Sequence, residues 1–225
     1  MDTSRAVPRK DIVSKVRDEL CEYPTPREQV LLSFMGDPYC QANDKYGLTR
    51  EALKIMLKYR IPVSILTKGG VRVFRDIDII GQFGDSIMVG QTITTLNPNT
   101  SWEWEPGAPT SLERIAALRG LKNAGVRTWA SFEPVIDTCH ALAAMERSLE
   151  AVDVYKVGKM NRYPTMTGKD DWPAFLNEVV TMLRGAGKQF YIKEDLRLAA
   201  PDVKLYGSEV IADDHCARPF SEGVL

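Results

Sequence analysis

No apolar run in these 225 residues approaches the roughly 18–20 residues that a membrane helix needs. The first twenty residues, MDTSRAVPRKDIVSKVRDEL, hold no apolar h-region, so no signal peptide is read there. Net charge is nearly absent as well: 29 Lys and Arg against 30 Asp and Glu leave −1. No global field draws such a chain to nucleic acid, although a local basic groove stays compatible with it. The four cysteines, Cys21, Cys40, Cys139 and Cys216, are scattered and include no C-x2-C pair. A disulfide scaffold is usually denser and shorter, so a reducing cytoplasm fits better. There is no HExxH, no Ser/His/Asp order and no GxGxxG after the first apolar run. Those absences weigh against zinc hydrolysis, triad chemistry and a dinucleotide-binding open sheet. Low-complexity stretches and internal repeats are missing too.

What is present is an alternation. Short apolar, β-branched runs at Val30–Phe34, Val63–Leu66, Ile87–Ile93, Arg127–Phe132, Val154–Val157 and Phe190–Ile192 read as strands. Amphipathic stretches separate them. Thr49 precedes REALKIMLKYR as an N-cap, and Thr110 or Ser111 precedes LERIAALRGLKNAG, which ends at Gly125. Asp137 or Thr138 opens CHALAAMERSLEAV, and Asp171 opens WPAFLNEVVTMLRGAG. Apolar strands joined by helical crossovers predict an α/β fold with a covered parallel sheet, either barrel-like or doubly wound. Single α/β barrels often run to about 200–250 residues. One domain is therefore expected over 1–200, with 201–225, where periodicity is lost, as a C-terminal surface tail.

In such folds the site lies at the carboxyl ends of the strands. Here those ends are polar: Ser33-Phe34-Met35-Gly36-Asp37-Pro38-Tyr39, Thr67-Lys68-Gly69-Gly70, Gln91-Thr92-Ile93-Thr94-Thr95, Ser131-Phe132-Glu133-Pro134, Lys156-Val157-Gly158-Lys159-Met160-Asn161 and Lys193-Glu194-Asp195. Lys68, Lys156 and Lys193 could each bind a carboxylate or phosphate, form a salt bridge to Glu133 or Asp37, or serve as a Schiff-base nucleophile. The glycines of Lys68-Gly69-Gly70 either admit a ligand to the backbone or simply make a turn. Trp102-Glu103-Trp104-Glu105-Pro106-Gly107 reads as a long polar-aromatic loop whose rings either stack on a planar ligand or lie flat as a lid. Cys139-His140 and His215-Cys216 could together hold zinc if the tail folded back, but adjacent ligands diverge by about 100° on a helix. Arg50, Lys54, Lys58 and Arg60 share one helix, an arrangement most often found on a solvated face.

The blocks LLSFMGDPYC, LTREALKIML, VSILTKGGVRVFRDIDII, VGQTITTLN, WEWEPGAPTSLERIAALRGLKNAGVRTWASFEPVID, DVYKVGKMNR and FYIKEDL, in this order and spacing, carry a resemblance. Between Pro8 and Leu198 the chain resembles the radical S-adenosylmethionine enzymes related to spore photoproduct lyase, the DNA repair photolyase-like proteins. That resemblance implies a partial (β/α) TIM-type barrel with S-adenosylmethionine bound at its carboxyl rim. It implies cofactor-binding roles for Gly36 and Asp37, for Thr92, for Glu105 and Arg114 of the EPxAP…R block, and for Glu133. No catalytic residue is assigned. The family holds a [4Fe-4S] cluster through C-x3-C-x2-C upstream of the DPY block, and that motif does not occur here. The expectation is a chain lacking the cluster segment and the first family strand, preferred as a fragment over a natural cluster-free barrel. The leading function is a radical S-adenosylmethionine enzyme core. A non-catalytic small-molecule-binding barrel and a Schiff-base lyase are the alternatives. Substrate and oligomeric state are not encoded legibly.

Overall fold

The computed structural model describes residues 7–22, 29–32, 36–160, 171–211 and 216–220. Six strands form one sheet in sequential order, every neighbouring pair parallel: β1 (Val30–Leu32), β2 (Val63–Thr67), β3 (Ile87–Thr92), β4 (Arg127–Val135), β5 (Val154–Lys159) and β6 (Gln189–Ile192). Among the described residues β1 and β6 do not pair, so the sheet is an open, partial barrel. Parallel neighbours need crossovers, and the helices supply them. These are α1 (Ile12–Glu22) ahead of β1, α2 (Gln41–Tyr46) and α3 (Leu48–Lys58) before β2, and α4 (Ile77–Ile80) between two 3-10 segments before β3. Next come α5 (Pro98–Trp104), α6 (Ser111–Asn123), α7 (Thr138–Ser148), α8 (Trp172–Gly185) and α9 (Glu194–Ala199). None of the described helices is long and apolar enough to cross a membrane.

All six expected strands exist, with ends shifted by one to three residues; Ser33, Phe34 and Met35 lie outside the described residues. Three helix starts follow the expected caps. Thr110 accepts from the Glu113 N–H while the Glu113 carboxylate accepts from the Thr110 N–H, a reciprocal capping box. Asp137 and Asp171 cap α7 and α8. Thr49 does not cap α3. That helix begins at Leu48, after Gly47 in the left-handed region (φ 61°). The Thr49 hydroxyl instead donates to the Pro38 carbonyl at 2.5 Å, tying α3 to the loop after β1. The tryptophan-rich segment is a loop only in its second half: Trp102–Trp104 end a helix, and Glu105–Gly107 form the turn after it. Asn97 accepts from the Asn99 and Thr100 N–H groups and Pro98 sits in the first turn, so the chain enters α5.

One face of the sheet is packed under the helices. Ile65 and Val89 join Leu53 and Ile80 in one cluster, while Ala130, Phe132, Tyr155, Val157, Phe190 and Ile192 join Leu118, Met145 and Val179 in another. The other face is concave and carries the alternate residues. Its floor is the register layer Leu66–Gly90–Trp129–Val154–Gln189. Above it lies Thr92–Ser131–Lys156–Tyr191. Trp129 lies across the floor. A Cβ on Gly90 would fall 2.4 Å from the Trp129 ring, and the Trp129 indole N–H reaches the Ile65 carbonyl at 3.0 Å. Only glycine lets the ring settle there.

The described part of the C-terminal stretch is mostly exposed, as a surface tail would be, but it is anchored at several points. Val203 and Leu205 pack on the larger core. The Ala217 N–H donates to Gln29, and Arg127 donates to the Cys216 carbonyl, which draws the stretch across the amino ends of β1 and β4. Ala217 is buried with Met88, Trp129 and Val154, so it helps seal the floor.

Candidate functional site

The carboxyl rim of β1–β3 is held by a continuous run of polar contacts. The Asp37 carboxylate accepts from the Tyr39 N–H (2.8 Å), the Thr67 hydroxyl (2.5 Å) and the Lys68 N–H (2.6 Å). The loops after β1 and β2 are thus bolted together. They also interlock sterically: a Cβ on Gly69 would lie 2.7 Å from the Tyr39 Cβ and 2.9 Å from its carbonyl oxygen. Tyr39 is fully buried, and that burial, aided by the Asp76 carboxylate, pushes its phenol well above the ordinary range. Gly70, at φ 58°, exchanges two hydrogen bonds with the buried Gln91 side chain (3.3 and 3.2 Å), fixing the same turn to β3.

Glu105, at the end of α5, joins the next part of the rim. Its Oε1 meets the Lys68 ammonium at 2.7 Å and its Oε2 the Arg114 guanidinium at 2.5 Å. Arg114 has no exposed surface and spends its other donors on the Thr92 carbonyl and the Pro109 carbonyl, both at 2.8 Å. Burial would raise the Glu105 carboxyl, but Arg114 and Lys68 outweigh it and hold it below the usual carboxylate range. Contacts therefore run unbroken from Asp37 through Lys68, Glu105 and Arg114 to Thr92. Arg114 faces the protein, bracing β3 from behind. Thr92 and Ser131 sit side by side in register on the concave face, both nearly buried. Nearby on the rim, the Thr94 hydroxyl is buried and has no hydrogen-bond partner among the described residues.

Glu133 ends the run on β4. One extra residue in β4 relative to β5, between Phe132 and Val135, shifts the register there. Glu133 forms an ion pair with Lys193, which follows β6, and the pair passes over Gly158 of β5. A Cβ on Gly158 would lie 3.0 Å from Lys193 Cδ and 3.3 Å from Glu133 Cδ. One layer deeper, the Lys156 ammonium sits 4.8 Å from the centre of the Trp129 ring.

The expected residues thus fall on one rim, with different duties. Gly36 is exposed with open space about its Cα, so its main chain is accessible, whereas the Asp37 carboxylate is committed inside the protein. Of the lysines, Lys193 takes the salt-bridge alternative and pairs with Glu133. Lys68 pairs with Glu105 rather than Asp37, which takes the Lys68 backbone N–H instead. The basic helix residues lie at the surface, as a solvated face does, and pair locally: Arg50 with Asp76 and Asp78, Lys54 with Glu51, while Arg60 lies past the helix end over Phe220. A zinc site shared by Cys139-His140 and Cys216 does not form. Cys139 and His140 open α7 at the carboxyl end of β4 and Cys216 lies at its amino end, with nine residues of strand, about 30 Å, between. His215 lies outside the described residues. Among the described residues no three His, Cys, Asp or Glu side chains are grouped to hold a metal. Sequence reasoning missed Trp129 and its dependence on Gly90. The signal was a glycine inside a strand, which marks close approach of another group.

The open six-stranded parallel half-barrel resembles in fold the partial barrel of solved structures of SuiB. Streptococcus suis SuiB crystallised with S-adenosylmethionine superposes with a TM-score of 0.65 at 14% identity, covering 90% of this chain and 48% of SuiB. SuiB bound to its precursor peptide SuiA gives 0.62 at 14% identity. No family model matches the sequence. Among curated relatives, the uncharacterized protein MJ0683 of Methanocaldococcus jannaschii is 36% identical over 108 residues, 48% of this chain and 40% of that protein. The uncharacterized Rv2578c of Mycobacterium tuberculosis is 27% identical over 135 residues, 59% of this chain and 39% of that one. ORF301 of Acidianus two-tailed virus is 25% identical over 123 residues. The matched regions span only about two fifths of these relatives' lengths.

Proposed function

We propose that this chain binds S-adenosylmethionine at the carboxyl rim, as the core of a radical S-adenosylmethionine enzyme of the spore photoproduct lyase-related kind. The observation that carries the reading is the unbroken line of contacts from Asp37 to Thr92. Residues assigned by resemblance alone, Gly36, Asp37, Thr92, Glu105 and Arg114, prove to be neighbours on one rim, with Glu133 two residues beyond the strand partner of Thr92. The SuiB likeness in fold supports the same reading.

In this account Gly36 offers main-chain groups, and Thr92 offers its hydroxyl on the strand beside the cofactor. Glu105 and Arg114 hold that strand in place from behind, and Glu133 faces the cofactor from β4. The chemistry expected of such a complete enzyme is reductive cleavage of S-adenosylmethionine to methionine and a 5′-deoxyadenosyl radical, with the electron supplied by a [4Fe-4S] cluster. The cysteines do not fit that cluster. C-x3-C-x2-C does not occur in the sequence, and Cys21, Cys40, Cys139 and Cys216 are all free thiols in separate places. The chain's own share is to bind, orient and shield the cofactor. Its free thiols support a reducing, cytoplasmic setting.

Calorimetric titration of the chain with S-adenosylmethionine tests the reading. One saturable site is expected, weakened at least fivefold in Thr92→Val. Absence of binding contradicts it.

A further inference from the structure

We propose that residues 216–220 are a latch on the amino end of the half-barrel. Closed, they seal the floor under the concave face, and latch closure and ligand binding at the carboxyl rim favour one another. The coupling rests on the reading of the rim as the S-adenosylmethionine site; the latch itself does not. Five residues tie together the amino ends of three strands. Ahead of β1, the Gln29 side chain donates to the Cys216 thiol at 2.8 Å and accepts from the Ala217 N–H at 2.9 Å. Arg127, the first residue of β4, donates to the Cys216 carbonyl at 2.8 Å. Ahead of β3, the Asp85 carbonyl accepts from the Arg218 N–H at 3.1 Å, and its carboxylate meets the Arg218 guanidinium at 3.0 Å. The Phe220 ring, 5.8 Å from that of Phe83, ends the crossing.

The latch reaches the concave face at the register layer Leu31–Ser64–Met88–Arg127, one layer below Trp129. Its hold is weak, as a latch requires. Arg218 and Asp85 are 71% and 74% exposed, so their ion pair adds little. Of the five residues only Ala217 is buried, and an alanine removes little apolar surface from water. Closure also leaves the Ser64 hydroxyl, in the layer that the latch covers, buried with no hydrogen-bond partner among the described residues. Opening admits water to that hydroxyl and removes its cost. The latch therefore opens locally while the strands keep their sheet bonds. What it uncovers is the cluster of Met88, Trp129 and Val154. Trp129 is the floor, and Ser131, two residues further along β4, stands beside Thr92 in the layer above. A ligand that fixes that upper layer steadies the ring and the seal beneath it. By linkage the closed latch raises ligand affinity by the same factor.

The test is hydrogen exchange of the full chain by NMR, with Gln29→Ala as the unlatched variant, at the end of the strands away from the rim. The Arg218 N–H and the Trp129 indole N–H keep their own acceptors, Asp85 and Ile65, in that variant. Both should nevertheless exchange about tenfold faster, the effect of losing one or two hydrogen bonds from the latch, while the amides of β2–β4 keep their protection. Ala217→Asp, which turns a carboxylate toward the same cluster, should act alike. In wild type, saturating S-adenosylmethionine should slow Arg218 exchange about fivefold, and its affinity should fall about fivefold in Gln29→Ala. Trp129 exchange unmoved in both variants would overturn the proposal, as would an Arg218 N–H that exchanges only when the whole chain unfolds. So would S-adenosylmethionine that binds wild type and Gln29→Ala equally and leaves Arg218 exchange unchanged. A chain whose Arg218 and Trp129 open together but which binds no S-adenosylmethionine loses the cofactor reading and keeps the latch. Binding at the rim without that joint opening removes this inference alone.

Discussion

The two halves of the rim are made of the same residue types and behave differently. On the β1–β3 side Asp37, Glu105 and Arg114 are cross-bonded, and Glu105 and Arg114 are buried. On the β4–β6 side Glu133 and Lys193 pair in partial contact with water, above a lysine resting on a tryptophan. A buried charge network has one low-energy arrangement and therefore holds backbone in place, while a wet pair has several and can receive a ligand. Carboxylates that look alike in sequence differ in burial: Glu105 braces the scaffold, while Glu133 is the one that the proposed function makes a binding group.

Substitutions should separate the halves. The largest effect is expected from Arg114→Ala, which strands Glu105 in the interior; removing one partner of a buried pair costs about 3–5 kcal/mol. Chemical denaturation measures it, and the double variant Arg114→Met/Glu105→Leu should recover most of the loss. Asp37→Ala follows, at roughly 1.5–3 kcal/mol for hydrogen bonds made to a charged acceptor. It should also loosen S-adenosylmethionine binding by releasing the loop that carries Gly36. Gly90→Ala drives a methyl group into the Trp129 ring and should cost about 1–3 kcal/mol, with a red shift in Trp129 emission. Glu133→Gln should change stability by less than about 1 kcal/mol while altering ligand affinity. A stability loss there as large as that of Arg114→Ala would erase the distinction.

Acid should expose the same contrast. The Glu105 carboxyl is held low in the folded chain, mainly by Arg114 against the cost of burial. Its contribution is complete above the ordinary carboxyl value of about 4.3 and is lost as pH falls through the lowered folded value. Melting temperature in wild type should therefore drop more steeply below pH 4 than in Arg114→Met/Glu105→Leu, which scanning calorimetry reads.

Much of the fold was legible because it is written in local pattern. Strand cores such as Val63–Leu66 and caps such as Asp137 need only nearby residues, and they stand where periodicity puts them. Thr49 was misplaced because its hydroxyl has a tertiary partner, Pro38, that no local rule contains. Asn97-Pro98, by contrast, was a local helix signal left unread. At the site, the resemblance named Glu105 and Arg114 but could not say that they are buried and paired with each other, since that depends on how α5 and α6 pack. Trp129 was invisible for the same reason. Its role arises from a glycine on β3 and a carbonyl on β2, both distant in sequence.

The most direct test is hydrogen exchange of the chain with and without S-adenosylmethionine. Binding at the rim predicts added protection in residues 36–40, 67–70 and 91–95, with little change in α8 or in the amino ends of the strands. Unchanged exchange along the rim, or protection confined to another surface, would contradict the account.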